Sequence, residues 1–413
     1  MSDCLKGLLG RGDITTLYQP IIDLETGAAL GYEALARGTH GSALESPVAL
    51  FAAARTDGCV AELDWACRAA ALSGALDAGL GNACTLFVNI EPDTDGDTVP
   101  DRYKELIERA TGELRIVVEV TEQAIVDRPA ELLRLLDWAR DRSWGVAIDD
   151  IGANPNSLAM MPFLEPDVVK LDLSLVQTRP TPEIGQVVSA VLGQTERTGA
   201  TVLAEGIETE AHREAAMAMG ATLGQGFLLG RPAPLPASIP QPTETIPLKG
   251  AVSGRDEVTP FSVVRSARPL RRGPKRLIVD LAHHLEEQAL AAREAPVILS
   301  TFQQGERLDE ASRQRYARLV AQGCFVVVIG PHVSRSPAAG VRSARLPVAH
   351  RLNEEWSVIL VGPHYSGALV ARGTAGDDYD FAVTHDRDLV VEAGRALLRV
   401  VGTAEVDHGT ARR

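Results

Sequence analysis

Polar residues recur at the ends of short apolar runs in the first half of the chain. Asn89 closes FVN, Glu119 stands late in RIVVEV, and the adjacent pair Asp149-Asp150 closes VAIDD. Lys170 and Asp172 end VVKLD, and Glu205 ends VLAE with Glu208 three residues on. Carboxylates held close together repel and raise one another's pKa unless a cation compensates. Carboxylates, an Asn carbonyl and water form a hard oxygen shell suited to Mg²⁺ or Mn²⁺. With Asp149 closing a strand and Asp150 opening the next loop, the pair can hold two neighbouring ions. Two such ions clamp a phosphodiester and activate a water between them. Lys170 is placed to steady that water or the phosphate, and Glu205 to act as a further ligand or proton acceptor. Helix capping or surface exposure accounts for one such residue, not for a series of them.

These residues act together only if the strand ends converge. TLFVNI (85–90), LRIVVEV (114–120), GVAID (145–149), DVVKLD (167–172), TVLAEG (201–206) and GQGFLLG (224–230) alternate with helical patterns at 131–142, 183–199 and 210–220. Pro129 suits a helix start, and Gly199 and Gly220 suit helix ends. Repeated strand–helix units predict a parallel α/β sheet, and their number suits a closed, TIM-like (β/α)8 barrel. Its C-terminal mouth would gather the strand ends. A doubly wound open sheet is the rival.

A chain of 413 residues exceeds the usual size of one domain. Six prolines between Pro232 and Pro247 exclude a helix or a central strand there. Domains are therefore expected at 1–235 and 255–403, with a Pro-rich linker at 236–254 and a tail at 404–413. A net charge of -14 argues against a surface that wraps long nucleic acid. A small phosphate ligand stays compatible, because a bound cation reverses the local field. Five scattered cysteines without CxxC spacing fit reduced thiols in a cytoplasmic protein. No signal-peptide run or span-length apolar stretch is present, so no direct membrane insertion is expected. Trp65, Trp138 and Trp144 read as packing residues, and His40 and His212 as surface or packing groups.

Segment by segment, about residues 5–235 resemble the EAL family of cyclic di-GMP phosphodiesterases. The likeness rests on Tyr18-Gln19-Pro20, Glu33-Ala34-Leu35, FVN (87–89), EVTE (119–122), AIDD (147–150), VVKLD (168–172), AEGIET (204–209) and GQGFLLGRP (224–232), in family order. The resemblance implies Glu33, Asn89, Glu119 and Asp149 as direct metal ligands, with Asp149 bridging two ions and Asp150 on the second. It implies Lys170 at the hydrolytic water and Glu205 as base or part of the metal–water network. Asp172 and Glu208 would support the ligands, and Glu122 would anchor the loop after Asp150. Gln225 would serve the second metal or the ligand. Arg37 would contact a ligand phosphate, with a planar donor fork that lysine lacks. The implied reaction opens one phosphodiester of cyclic di-GMP to give linear pGpG, in a homodimer formed near the loop after Asp150.

Two features depart from the family pattern. DDIGANPNSL (149–158) carries Ile151, Asn154 and Pro155 where Phe, glycine and an aromatic are common, and Pro155 fixes a torsion and removes a donor. Glu91 stands where a small residue is usual, adding a carboxylate that could repel the ligand or recruit a cation. These departures keep a second reading open: a receptor or interaction protein that binds cyclic di-GMP with little or no turnover.

Residues 255–403 carry apolar segments at 296–302, 324–330, 357–363 and 367–371, with helical stretches at 277–293, 309–322 and from 388. This pattern predicts a smaller α/β or α+β domain with a sheet core and no strand-end cluster like the first. FVVVIG, Glu355-Trp356 with SVILVGPHYSGALVAR, and DYDFAVTHDRDLV resemble the DICT domain. That resemblance implies a sensory role and a signalling protein as partner. The basic run at 265–276 reads as a solvated face. His283, His284, His332, His350, His364 and His385 show no metal-ligand spacing.

Overall fold

Eight short strands close into a barrel in sequence order. They are β1 (Thr15–Asp23), β2 (Ala29–Arg37), β3 (Thr85–Asn89), β4 (Arg115–Thr121), β5 (Gly145–Ile151), β6 (Val168–Leu171), β7 (Thr201–Ala204) and β8 (Leu223–Gly224). From β2 to β8 neighbours are parallel, while β1 runs antiparallel to both β2 and β8. The fold is therefore TIM-like with one reversed strand. The computed structural model describes residues 5–91, 98–152, 155–250, 258–303, 309–374 and 377–402. Contacts divide the chain into two units. One holds Met1–Glu122, Arg134–Ala153 and Leu164–Ser253; the other holds Gln123–Leu133, Asn154–Phe163 and Gly254–Arg413.

Side chains alternate along a strand, so every second residue faces the barrel interior. Ile21, Leu30, Phe87, Val117, Ala147, Val168, Leu203 and Leu223 supply one inward apolar layer, with one residue from each strand. All are buried, and such layers fill a barrel rather than leaving a pore. Ile246, from the Pro-rich stretch, is 1% exposed and joins this layer. The described residues of that stretch form no helix or strand, as its prolines require. It lies along the barrel nonetheless. Tyr18 bridges to Ala233, Arg115 Nη2 donates to the Ile246 carbonyl, and the Lys249 N–H donates to Asp167 Oδ1 at 2.7 Å.

The helix Pro129–Asp141 starts at the expected proline, and Pro182–Thr198 ends at Gly199 in the left-handed conformation. Trp65, Trp138 and Trp144 are buried and meet edge to face, with ring centroids 6.4 and 5.1 Å apart. Cys59, Cys67, Cys84 and Cys324 are free thiols. No helix among the described residues is long and apolar enough to cross a membrane.

The second unit is built on a seven-stranded mixed sheet. Its strands are β9 (Arg271–Pro274), β10 (Val297–Thr301), β11 (Phe325–Gly330), β12 (Arg342–Arg345), β13 (Glu355–Val361), β14 (Ser366–Gly373) and β15 (Asp378–Thr384), in the spatial order β12-β11-β10-β13-β14-β15-β9. The central strands are buried on both faces, which is why VILV and FVVVIG read as continuous apolar runs. Ile298, Val326, Val328 and Leu360 pack with Ala289 of the helix Lys275–Ala291 and Leu319 of the helix Glu310–Ala321. Within the basic run, Arg268 pairs with Asp386 and Arg272 with Asp380, both at partly exposed positions.

Candidate metal centre

Two residues beyond the apolar layer the barrel interior turns polar. From Phe87, Val117, Ala147, Val168, Leu203 and Leu223, the same inward alternation reaches Asn89, Glu119, Asp149, Lys170, Glu205 and Gln225. On the reversed β1 the step runs backwards, from Ile21 to Gln19. On β2, beside a register shift at Ile21/Ile22, Glu33 lies opposite Gln19 and Phe87. One polar ring thus follows directly from one apolar ring.

Lys170 stands at the centre of the ring, fully buried. Its Nζ lies 2.8 Å from Glu119 Oε1, 2.8 Å from Glu205 Oε1, 3.0 Å from Asp149 Oδ1 and 3.8 Å from Glu33 Oε2. These are ion-pair distances without hydrogen-bond alignment at Glu119, so among the described residues both Glu119 oxygens stay without a hydrogen bond. Asn89 Nδ2 donates to Glu33 Oε1 at 3.1 Å, and Gln225 Nε2 donates to Glu33 Oε2 at 2.7 Å. Gln225 Nε2 also reaches Gln19 Oε1 at 3.2 Å, whereas the buried Gln225 Oε1 has no hydrogen-bond partner among the described residues.

Consecutive strand residues normally face opposite sides, yet Asp149 and Asp150 both serve the mouth. The β5–β6 register slips between Ile148 and Ile151, and Asp150 takes a left-handed conformation at φ 59°. Aspartate tolerates that region better than most residues, and such strain concentrates at functional sites. The result brings carboxylate oxygens of Asp149, Asp150 and Glu205 within 4.8 Å of one another. Gly206, at φ 66°, is required next to Glu205, because a Cβ there would meet Leu173 Cβ at 2.4 Å.

The electrostatics follow from five carboxylates around one ammonium. Burial, then Glu33, push the Glu119 carboxyl well above the usual range against the pull of Lys170. Burial and Asp149 raise Asp150, and burial raises Glu205 to about 7 although Lys170 opposes it. Burial alone would lower the Lys170 pKa. Glu119, Glu205, Glu33 and Asp149 outweigh it and hold the ammonium well above its ordinary value. Hard oxygen donors, orphaned buried oxygens and uncompensated negative charge suit a divalent cation such as Mg²⁺ or Mn²⁺.

Of the residues singled out in the sequence, Glu33, Asn89, Glu119, Asp149, Asp150, Lys170, Glu205 and Gln225 come together. Asp172 follows β6 and caps the helix Leu173–Gln177, accepting from the Ser174 N–H at 2.8 Å. Its charge still contributes to raising Asp150. Glu208 is exposed on the loop after β7, where its N–H donates to His212 Nδ1. Arg37 ends β2 with Nη1 donating to the Ala36 carbonyl. The Glu122 side chain and residues 153–154 lie outside the described residues, as do the side chains of 155–157.

Three features escaped the sequence reading. Gln19 belongs to the polar ring, and the Ile21-to-Gln19 alternation carried that signal. A cavity of about 430 Å³ opens against Glu33, Asn89 and Glu119 and is also lined by the buried Asp64–Arg68 ion pair. Glu91 lines it too, but its N–H donates to Asp64 Oδ1 and its carboxylate lies 3.7 Å from Arg55 Nη2. Arg55 therefore offsets the extra charge. Arg55, Asp64 and Arg68 lie on helices remote in sequence from the strand-end motifs, so no spacing pointed to them.

A TIM-like barrel with this acidic, lysine-centred mouth defines a candidate metal-dependent hydrolase site. The chain belongs to the EAL family: residues 3–232 match the EAL domain, and residues 262–373 match the sensory domain in diguanylate cyclases and two-component systems, DICT. The cyclic di-GMP phosphodiesterase RocR of Pseudomonas aeruginosa is 29% identical over 239 residues, covering 57% of this chain and 61% of that protein. The bifunctional diguanylate cyclase/cyclic di-GMP phosphodiesterase MucR of the same organism is 29% identical over 240 residues, covering 56% of this chain and 34% of that protein. A manganese and cyclic di-GMP complex of Klebsiella pneumoniae BlrP1 aligns at TM-score 0.47 and 28% identity, covering 54% of this chain and 56% of that one. The chain thus spans less than two thirds of each of these relatives.

Proposed function

We propose that residues 1–235 hydrolyse cyclic di-GMP to linear pGpG, using two Mg²⁺ or Mn²⁺ ions. Residues 255–403, beyond the Pro-rich linker at 236–254, would regulate turnover as a sensory domain in a cytoplasmic homodimer. The observation that carries this reading is the ring of Glu33, Glu119, Asp149, Asp150 and Glu205 around Lys170, whose negative charge exceeds what one ammonium offsets. The phosphodiesterase names of the relatives support the choice of substrate.

Glu33, Asn89, Glu119, Asp149, Asp150 and Glu205 would hold the ions, which supply electrophilic stabilisation of the phosphate and an acidified water. Lys170 keeps its proton and presents Nζ to a water or phosphate oxygen. Glu205, raised to about 7, is suited to take a proton near neutral pH. Asn89 and Gln225 orient Glu33 through its two oxygens. Arg37 would meet a ligand phosphate after its side chain turns from Ala36, and Asp172, Glu208 and Glu122 would support the loops around the mouth.

The test is incubation of the purified full chain with cyclic di-GMP and Mg²⁺ or Mn²⁺, following pGpG by chromatography. Product that vanishes on chelation and in Glu33→Ala supports the reading. Tight binding without product, across several protein concentrations and pH values, would overturn it in favour of the receptor.

A further inference from the structure

The second unit contains a cavity of about 410 Å³, within the size range of small-molecule sites. It opens at the carboxyl end of β10, between the helices Lys275–Ala291 and Glu310–Ala321, and the first residues of β13 close it. The carboxyl ends of parallel strands are where open α/β sheets commonly take ligands, and β10 pairs in parallel with β11.

Its apolar wall comes from Val279, Ala282, Phe302 and Trp356. Two of these rings are held in place from behind. Trp356 meets Tyr379 edge to face at 6.2 Å, and Phe302 meets Tyr316 at 6.4 Å. A fixed aromatic wall offers stacking area with little ordering cost to the protein.

The polar side of the cavity is built around a buried acid. Glu286 is 4% exposed and both of its oxygens are engaged. Tyr316 Oη donates to Oε1 at 2.6 Å, and Arg315 Nε donates to Oε2. Tyr316 is itself buried and lies 3.1 Å from Ser300 Oγ. Glu286 therefore acts as a clamp that fixes the guanidinium plane. Arg315 Nη2 faces Ser312 Oγ at 3.3 Å, which leaves Nη1 without a protein partner among the described residues. The other acid of the lining, Asp309, caps its helix by accepting from the Ser312 N–H at 2.8 Å. Exposed Lys275 and His283 stand at the rim, and the Lys275 ammonium makes no ion pair among the described residues. Among the described residues both acids of the lining are occupied, while Nη1 and one ammonium remain available. An anion is the ligand charge that fits.

We propose that this cavity is the ligand site of the sensory domain and that it takes a small aromatic carboxylate. The ring lies against Trp356 and Phe302, and the carboxylate meets Arg315 Nη1 with Lys275 at the rim. The assignment is independent of whether the barrel hydrolyses cyclic di-GMP.

The experiment is calorimetric titration of the full chain with benzoate, cinnamate and naphthoate, each matched by the corresponding neutral alcohol. At least one carboxylate binds saturably, and about tenfold or more tighter than its alcohol. Arg315→Gln weakens that carboxylate about tenfold and leaves the alcohol unchanged, and Lys275→Gln weakens it less. Should Arg315→Gln lose its circular dichroism signature, Val279→Trp decides instead, because it fills the cavity from a half-buried wall and abolishes binding. No saturable binding of any of the three carboxylates, equal binding of acid and alcohol, or binding indifferent to both Arg315→Gln and Val279→Trp overturns the proposal.

Discussion

Glu119 in the barrel and Glu355 in the second unit are equally buried carboxylates with opposite surroundings. Glu355 accepts from Thr259 Oγ1 at 2.6 Å and Arg372 Nη2 at 2.8 Å through one oxygen, and from the Phe261 N–H at 3.0 Å through the other. Glu119 has an ammonium 2.8 Å away but no aligned hydrogen bond, and further carboxylates stand behind it. A buried charge is tolerated when its partners satisfy it, and it is costly when they do not. Glu355 stitches a helix start to the first residue of the central strand β13. Glu119 belongs to a site whose excess negative charge the proposed metal ions would complete.

The contrast can be broken most forcefully at Asp149. Asp149→Asn should lower the proposed turnover on the order of 10³-fold, about 4 kcal/mol, because it would remove a proposed metal ligand and half of the paired aspartates. Its metal-free melting temperature should equal or exceed the wild type's, since a repelling charge is gone. A clear loss of metal-free stability would make Asp149 a structural acid like Glu355.

Lys170→Met comes next. It leaves Glu33, Glu119, Asp149 and Glu205 without the ammonium they surround, and denaturation of the metal-free protein should show a loss of about 3 kcal/mol. Mn²⁺ should recover much of that loss. Glu355→Ala should cost about 2 kcal/mol by orphaning the Thr259 hydroxyl and the Phe261 N–H, and Mn²⁺ should recover none of it.

A smaller effect concerns pH. Glu205 is raised from 4.5 to about 7, so the metal-free fold favours its neutral form. That contribution is complete below about pH 4.5 and is lost as pH rises through about 7. Glu119 and Asp150 are shifted in the same direction. Thermal denaturation of chelated protein should therefore show stability falling from about pH 5 to about pH 7, and saturating Mn²⁺ should flatten the fall. The smallest effect is expected from Glu91→Ser. Its pairing with Arg55 is partly exposed, so stability should change by less than about 0.5 kcal/mol.

The same contrast explains what could be read without coordinates. Strands β3 to β7 were legible because each is an apolar run that ends in a polar residue where the barrel opens. The polar residues that gather around Lys170 from these strands, Glu119, Asp149 and Glu205, were legible for the same reason. The β1–β2 hairpin was not read as strands, since Pro20 interrupts β1. GQGFLLG suggested a full strand, but only Leu223–Gly224 pair. In the second unit β10, β11, β13 and β14 announced themselves as apolar segments. The edge strands β9 and β12 did not, because RRGP and RSAR are polar sequences whose pairing comes from neighbours distant in the chain. Side-chain spacing could place Glu119 at a strand end. It could not reveal that Glu355 is satisfied by Thr259, Phe261 and Arg372, which meet it only after folding.

Calorimetric titration of Mn²⁺ into metal-free protein tests the central claim most directly. The account predicts saturable binding that releases protons at pH 6.5 and is lost in Asp149→Asn, while Glu355→Gln retains it in whatever fraction stays folded. Absence of saturable Mn²⁺ binding, or binding that Asp149→Asn leaves unchanged, would contradict it.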